Sequence, residues 1–314
     1  MKRFLTGFVT GAAALAMMAP VVAQNADEAA QAEAPKTVDE VMAMAGEADW
    51  LAPDPDSTIY MLVPHGLIVI VLSDDLAPGH VEQVRTLVRE GYYDGLNFYR
   101  VIDGFVAQGG DVSEEKDKGS AAESLPAEFE EPIPDGLAFT PLGNFDGYAP
   151  EAGFINGMPA GIDRERGSVW LAHCTGAFAF GRNNERDSAS TEFYIALQPQ
   201  RYLDRNLTVF GRVIWGMDVV QAIKRGRPNN GGVIENEEDW TPIISARLAS
   251  DVPEAELLDL QMMDTNSDVF LELIEARRNR MGAFFYVQHD YLDLCQLQLP
   301  VRLKPVEEEE GESE

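Results

Sequence analysis

Residues 97–111, which run NFYRVIDGFVAQGGD, constrain the fold more than any other stretch of this chain. The first half is rich in the β-branched and aromatic residues that favour strands. Asp103–Gly104 is a strong short-range hairpin signal, because both turn positions tolerate positive φ. Gly109–Gly110 removes side chains at a point where another backbone or a ligand must approach closely. The stretch therefore predicts two antiparallel strands joined by a tight turn.

Three side chains of this hairpin combine into a recognisable chemical set. Arg100 supplies a cation, Phe105 a large apolar plate and Gln108 an amide. An apolar surface with a few fixed polar groups is the usual composition of a small ligand pocket. The alternative is a hairpin with a purely structural purpose, and the residues alone leave both interpretations open.

The same stretch resembles the signature of the cyclophilins, the prolyl isomerases with a consensus close to F-H-R-[VI]-I-x-G-F-[MV]-x-Q-G-G-D. Residues 98–111 match it almost throughout, with Tyr99 in place of the usual His. Three further segments are similar to family motifs: 191–195 (TEFYI) to S-Q-F-F-I, 202–204 (YLD) to W-L-D, and 209–213 (VFGRV) to V-F-G-K-V.

The resemblance covers roughly residues 57–250 and implies a mainly β fold. That fold is a closed eight-stranded antiparallel barrel with two capping helices, and closure leaves no strand edge to aggregate. The apolar stripes after Pro78 and over 217–225 predict those helices. Residues 140–166 are expected to form a loop longer than the matching family loop.

The flanking segments complete the predicted organisation. Residues 53–250 form the cyclophilin-like isomerase domain, and 251–306 form a small α+β C-terminal extension. Within that extension, 267–280 is predicted as a helix with Ser267 as its N-cap. Strand-like runs follow at 284–287 and 292–303, and the acidic tail 307–314 is predicted to be disordered.

The first 23 residues have the pattern of a secretory signal peptide: a basic start, a short apolar stretch and small residues before a cut near Ala23. A buried N-terminal helix is the alternative. Residues 24–52 are predicted as a flexible linker in which 38–48 could form a short helix. The protein is therefore expected in the periplasm or secreted, and no later stretch is apolar enough to span a membrane.

The formal net charge of −29 excludes nucleic acid and anionic membrane as natural partners, because such a surface repels both. The four histidines show no metal-ligand spacing, so neither a metal nor a cofactor is expected. Export permits a disulfide between Cys174 and Cys295, although a buried inert thiol is the commoner state in an apolar strand such as that around Cys174.

The resemblance implies a site for rotation about X–Pro bonds, with Arg100, Phe105 and Gln108 as its catalytic residues. The implied substrate-binding residues are Val106, Ala172, His173, Glu192, Tyr194, Tyr202, Leu203 and Leu207. Of these, Ala172 and His173 stand by position for the family's Ala-Asn pair, whose backbone pairs with the residue before proline.

Besides His173, four of these positions depart from the usual family residues. Glu192 stands for Gln, Tyr194 for Phe, Tyr202 for Trp and Leu207 for His. A carboxylate at position 192 is expected to face Arg100, where it could hold the guanidinium in place or draw it away from substrate. Competition with substrate is the expected outcome. The hydroxyl of Tyr194 needs a partner or water.

Three functions compete at this stage. The first is a monomeric peptidyl-prolyl cis-trans isomerase that assists the folding of exported, proline-containing polypeptides. The second is a catalytically weak module of the same fold that binds proline-containing segments as a chaperone or scaffold. The third is an interaction protein acting through residues 251–314. Isomerisation of a prolyl peptide with and without the extension would separate them.

Overall fold

The computed structural model describes residues 35–113, 115–280 and 284–305. The chain divides into two units, Met1–Pro35 and Lys36–Glu314, and the helices and strands belong to the second. Its helices are α1 (Val38–Met44), α2 (Pro78–Arg89), α3 (Met217–Ala222) and α4 (Asp268–Arg278). Its strands are β1 (Trp50–Leu51), β2 (Thr58–Val63), β3 (Gly66–Leu72), β4 (Asn97–Val101), β5 (Val106–Gly110), β6 (Glu131–Pro132), β7 (Thr140–Pro141), β8 (Glu151–Ile155), β9 (Met158–Asp163), β10 (Ser168–Leu171), β11 (Ala177–Phe180), β12 (Phe193–Ala196), β13 (Val209–Trp215), β14 (Thr241–Pro242), β15 (Ser245–Leu248), β16 (Leu260–Met263) and β17 (Val301–Leu303).

The largest sheet has nine antiparallel strands in the order β14-β4-β5-β12-β11-β13-β3-β2-β15. It curls into an open half-barrel, so the predicted closed eight-stranded barrel is not confirmed. The physical reason lies at β14, which is two residues long and ends in Pro242, a residue without an N–H for a ladder. Beyond Pro242 the two edges of the sheet meet through single hydrogen bonds and not through a ladder. Ile243 N–H donates to Leu96 O beside β4, and Ile244 N–H donates to Leu62 O of β2, each at 2.8 Å.

Two helices pack against the core of this sheet. α2 starts at Pro78, which needs no N–H partner in the first turn, and its predicted stripe of Val81, Val84, Leu87 and Val88 is buried. α3 ends at Ala222 rather than at 225, because Ile223 has left helical geometry (φ −58°, ψ 134°). Val220 and Ile223 remain in the same core.

Residues 140–166 are not the predicted long loop. They contribute β7, β8 and β9 to a second, five-stranded antiparallel sheet in the order β6-β10-β9-β8-β7. The turn between β8 and β9 is Asn156–Gly157, and both residues have positive φ, 46° and 81°. Asn-Gly is the preferred pair for such a two-residue hairpin turn. The sequence signal was therefore present within the Gly-rich stretch and was missed.

The two ends of the described chain fold together. β1, from the predicted linker, pairs with β16, which pairs with β17, and α1 packs beside α4. α1 begins with a capping box in which Thr37 Oγ1 accepts from Glu40 N–H, and the Glu40 carboxylate accepts from Thr37 N–H. Residues 38–51 are thus regular structure packed on the C-terminal segment, which differs from a flexible linker.

The C-terminal segment is bound covalently to the rest of the chain. Cys174 and Cys295 form a disulfide with a Cα–Cα distance of 5.0 Å. Ser267 caps α4 as predicted, with Oγ accepting from Phe270 N–H at 3.1 Å. The expected strand at 284–287 is absent, and of 292–303 only β17 is a strand.

Residues 1–23 and the tail 307–314, for which a signal peptide and disorder are predicted, lie outside the described residues. In the ranges that are described, no helix has both the length and the apolar character that a membrane crossing requires.

Candidate active site

A cavity of about 720 Å3 lies along β4, β5 and β12 and the loops beside them. Eight of the predicted site residues line it: Arg100, Phe105, Val106, Gln108, Glu192, Tyr194, Leu203 and Leu207. Its other walls are largely polar and come from Tyr92, Tyr99, Lys116, Lys118, Glu123, Gly181, Arg182, Asn183, Ser188, Ser190 and Thr191. The cavity therefore has an apolar end and a polar end.

Arg100 is fixed at this cavity by two hydrogen bonds. In the β4–β5 ladder it stands opposite Gln108, and its Nη1 donates to Gln108 Oε1 at 2.7 Å. Its Nε donates to the carbonyl of Gly231 at 3.0 Å. Within the described part of the chain Nη2 makes no hydrogen bond, so the guanidinium retains donors for a ligand.

Tyr99 and Glu192 extend this arrangement away from the cation. The β4–β5 register shifts between Phe98 and Arg100, so Tyr99 is the extra residue of a bulge, a feature that re-aims side chains. Gln108 Nε2 donates to Tyr99 Oη at 2.9 Å, and Tyr99 Oη donates to Glu192 Oε2. The expected contact between Glu192 and Arg100 is not what the structure shows, since the carboxylate meets Tyr99.

Burial governs the ionisation of this pair. It raises the pKa of Glu192, while the hydrogen bond from Tyr99 opposes the rise. It also raises the pKa of the Tyr99 hydroxyl, and the adjacent Glu192 charge adds to that effect. Tyr99 is therefore a proton-bearing hydroxyl at neutral pH.

Tyr194 forms the floor of the cavity, and its hydroxyl bonds to His173 on the side away from the cavity. His173 Nε2 lies 2.9 Å from Tyr194 Oη, and His173 Nδ1 lies 3.1 Å from Asp204 Oδ1. With Nδ1 donating to Asp204, Nε2 is the ring nitrogen that can accept from the tyrosine hydroxyl. Burial raises the pKa of Tyr194. Asp204 is in turn held by Arg201, whose Nε donates to Oδ2 at 2.5 Å.

The apolar side chains of the cavity pack against the second sheet. The side chains of Val106 and Tyr194 belong to one buried cluster with Ile155, Ala160 and Ile162 of the second sheet. Phe105 and Leu207 pack on the edge of that cluster and stay partly exposed. Among the described residues, no group of three or more His, Cys, Asp or Glu side chains is placed to hold a metal ion.

Comparison with known proteins agrees with this geometry. A family model described as "Cyclophilin type peptidyl-prolyl cis-trans isomerase/CLD" matches residues 58–246, more than half of the chain. The chain belongs to the cyclophilin family. Its activity is that of a peptidyl-prolyl cis-trans isomerase.

Two relatives and one solved structure resemble this cyclophilin. The "Probable peptidyl-prolyl cis-trans isomerase" of Brucella suis is 33% identical over 206 residues, which are 64% of this chain and 86% of the relative. "Peptidyl-prolyl cis-trans isomerase A" of Dickeya dadantii is 25% identical over 201 residues, 62% and 86% of the two chains. The crystal structure of cyclophilin AquaCyp293 from Hirschia baltica has a TM-score of 0.67 and 27% identity. It covers 86% of this chain and 99% of its own, so the likeness extends beyond residues 58–246.

Three predicted substrate-binding residues do not line the cavity of this cyclophilin. The backbone of Ala172 is engaged by Pro159 O and Cys174 N–H, and that of His173 by Asp204 and Gln200 N–H. Because neither residue lines the cavity, neither can pair with a substrate there as predicted, and His173 acts through Tyr194 instead. Tyr202 is exposed on the outer surface beside Leu203.

Gly181 and Arg182 occupy the position that was assigned to Ala172 and His173. β11 pairs directly with β12, and its end at Phe180 delivers Gly181 to the cavity, where its N–H donates to Glu192 O at 2.7 Å. The available signal was the alternating run Ala177–Phe180, which ends 13 positions before Phe193 in the chain. Ala172 and His173 instead follow the earlier apolar run Ser168–Leu171.

Proposed function

We propose that this cyclophilin isomerises X–Pro bonds in the 720 Å3 cavity, with Arg100 as the group that stabilises the twisted amide. The observation that carries the proposal is the fixation of Arg100. Gln108 and Gly231 hold two of its nitrogens at 2.7 Å and 3.0 Å, and Phe105 lies on the same cavity wall. A cation held beside an apolar pocket suits this reaction.

The chemistry follows from the amide bond itself. Its rotation barrier, about 18–20 kcal/mol, exists because the nitrogen lone pair is shared with the carbonyl. When the bond twists, that sharing is lost and the nitrogen becomes a hydrogen-bond acceptor. A donor from Arg100 then interacts more strongly with the twisted state than with the planar substrate, which lowers the barrier. No nucleophile is needed for this step.

The remaining residues hold the substrate. Phe105, Val106, Tyr194, Leu203 and Leu207 supply the apolar side chains of the cavity and are proposed to hold the proline ring. The floor hydroxyl of Tyr194 is turned to His173, so it does not place an unsatisfied polar group against the ring. The backbone at Gly181 and Arg182 replaces Ala172 and His173 as the partner for the residue that precedes proline.

The substrates are proposed to be unfolded, exported proteins, which the protein meets as a monomer in the periplasm or outside the cell. The supporting feature is the N-terminal pattern of residues 1–23. Mass spectrometry of the protein from its native host would give a mature N-terminus at or near Gln24, and an intact Met1 would contradict export.

A catalytically weak, chaperone-like binding module is the second candidate function. It is favoured by a run of exposed apolar side chains near the C-terminus, Phe284, Phe285, Tyr286 and Val287. Such a surface suits contact with unfolded chains.

One experiment separates the two candidates. Two-dimensional NMR exchange spectroscopy on an unstructured Ala–Pro peptide measures cis–trans interconversion with the protein at catalytic amounts. The isomerase raises the exchange rate well above the uncatalysed tens of seconds. Peptide binding seen as chemical-shift changes, with exchange still at the uncatalysed rate, would reject the isomerase and leave the binding module.

A further inference from the structure

Four side chains of the site form one directed line of hydrogen bonds. Glu192 accepts from Tyr99, Tyr99 accepts from Gln108, and Gln108 accepts from Arg100. The last two members, Gln108 and Arg100, are the usual family residues at their positions. Tyr99 and Glu192 are the two that differ from the usual residues at their positions, and they contact each other.

The chemistry of the two ends fixes the direction of every bond in between. A carboxylate can only accept, and a guanidinium can only donate. Ionised Glu192 therefore accepts the one hydrogen bond that the Tyr99 hydroxyl can donate. The tyrosine oxygen is then left to accept from the Gln108 NH2 group. The guanidinium end imposes the same direction, because it requires the carbonyl oxygen of Gln108 to face Arg100. With the amide reversed, two donors would oppose each other at Arg100.

The fold makes room for this line at two special backbone positions. The bulge in β4 adds Tyr99 to the side of the sheet on which Arg100 meets Gln108. Gly110 supplies the space for the carboxylate, since a Cβ there would lie 2.1 Å from Glu192 Oε1. Tyr99 is 8% exposed and its ring also packs on Trp240, so water competes little for the hydroxyl.

We infer that Tyr99 and Glu192 are positioning residues of this isomerase, which act through Gln108 to hold the Arg100 guanidinium in its productive orientation. The inference rests on the proposed function of Arg100. It reverses the expectation from sequence that the carboxylate at 192 draws Arg100 away from substrate. In its place, the carboxylate sets the direction of the bonds that hold Arg100.

The inference predicts how activity depends on pH. Acid protonates Glu192, and the neutral acid can donate to Tyr99 Oη as well as accept from it, so the Tyr99 end of the line loses its fixed direction while Arg100 still sets the Gln108 end. Activity should therefore fall as pH is lowered through the raised pKa of Glu192. A carboxylate that competed for Arg100 would give the opposite slope. The charged and titratable groups around this position are Tyr93, Tyr99, Arg100, Asp111, Lys116, Lys118, Glu123 and Arg182.

The test compares Tyr99→Phe and Glu192→Gln with the wild type by NMR exchange on the Ala–Pro peptide from pH 4.5 to 8, a method that needs no coupling protease. Tyr60→Phe is the matched control, because Tyr60 is also buried and also bonds through its hydroxyl, but to the Leu258 backbone outside the cavity. We expect Tyr99→Phe to lower kcat about fivefold at neutral pH with little change in KM. The fall of kcat at low pH should be present in the wild type and in Tyr60→Phe, and it should be absent from Tyr99→Phe and Glu192→Gln.

A second measurement does not depend on variants that must fold. In 15N-labelled wild-type protein, the side-chain amide signals of Gln108 should shift with the same midpoint as the acid fall in kcat. Unchanged kcat in Tyr99→Phe, or an acid fall that persists in Glu192→Gln, would overturn the inference. If Arg100→Ala is inactive while both site variants behave as wild type, the inference alone fails. An active Arg100→Ala would instead reject the proposed function.

Discussion

Tyr194 carries a hydroxyl into the floor of an apolar pocket, and the residue behind it decides whether that hydroxyl is tolerated. His173 supplies the acceptor, and His173 is held in turn by Asp204. All three side chains are buried. A buried polar atom that loses its partner costs more than the hydrogen bond itself contributes. The tyrosine and the histidine therefore form a pair in which each requires the other.

Tyr194→Phe should lower the free energy of unfolding by about 1–3 kcal/mol, because His173 Nε2 is left without its donor. The proline pocket keeps its shape, so kcat/KM should change by less than about twofold. Urea denaturation followed by fluorescence gives the first quantity, and peptide exchange gives the second. Unchanged stability together with a large loss of kcat/KM would show that the hydroxyl serves the reaction and not the floor.

The site residues on the β4–β5 hairpin could be predicted from the sequence. The site residues whose position depends on the order of strands in the sheet could not. Arg100, Phe105 and Gln108 are close together because they lie within nine residues of one another on a single turn. Gly181 reaches the cavity only because β11 pairs with β12, a long-range choice between two similar apolar runs. Local sequence does not decide such a choice, so Ala172 and His173 were placed at the cavity instead.

The hairpin of β8 and β9 supplies apolar side chains behind the wall of the cavity. Its side chains Ile155, Ala160 and Ile162 pack behind Val106 and Tyr194. The element depends on its turn, where Gly157 has φ +81°. A Cβ at that position would also come within 3.1 Å of Leu299 Cδ2, which belongs to the C-terminal segment.

Gly157→Ala should therefore destabilise the protein by about 1–2 kcal/mol, the usual cost of a left-handed conformation for a residue with a side chain. Gly147→Ala is the matched control, because a Cβ there meets nothing within 4 Å and the backbone does not adopt positive φ. Thermal unfolding of the two variants makes the comparison. Equal melting temperatures would mean that the turn is not what defines this hairpin.

At the scale of the whole described chain, the segments before and after the cyclophilin domain form one structure. α1 and β1 pack with α4, β16 and β17 around Val41, Trp50, Phe270 and Leu273. The same cluster includes Cys174, which the disulfide joins to Cys295 across 121 positions of sequence. The separate linker and extension predicted from sequence missed this, because pairing between distant two- to four-residue strands leaves no local pattern.

Breaking the disulfide should expose how much this long-range arrangement depends on it. Cross-links that close long loops typically contribute about 2–5 kcal/mol to small domains, and the paired variant Cys174→Ser/Cys295→Ser should lose an amount in that range. Urea unfolding of the wild type with a thiol reductant should match the variant, and the variant itself should not respond to reductant. Full stability after reduction would contradict the assignment of a structural role to the bond.

The central claim is that Arg100, held by Gln108 and Gly231, stabilises the twisted X–Pro bond. The most direct measurement is kcat/KM of Arg100→Ala, with Arg100→Lys beside it, for the Ala–Pro peptide at neutral pH. Far-UV circular dichroism and urea unfolding serve to check the fold. We predict wild-type stability, because Arg100 is partly exposed. We also predict a fall of kcat/KM of at least about tenfold in both variants, since lysine lacks the planar guanidinium whose separate nitrogens bond Gln108 and Gly231 and leave a third for the substrate. Folded Arg100→Ala with wild-type kcat/KM would contradict the account.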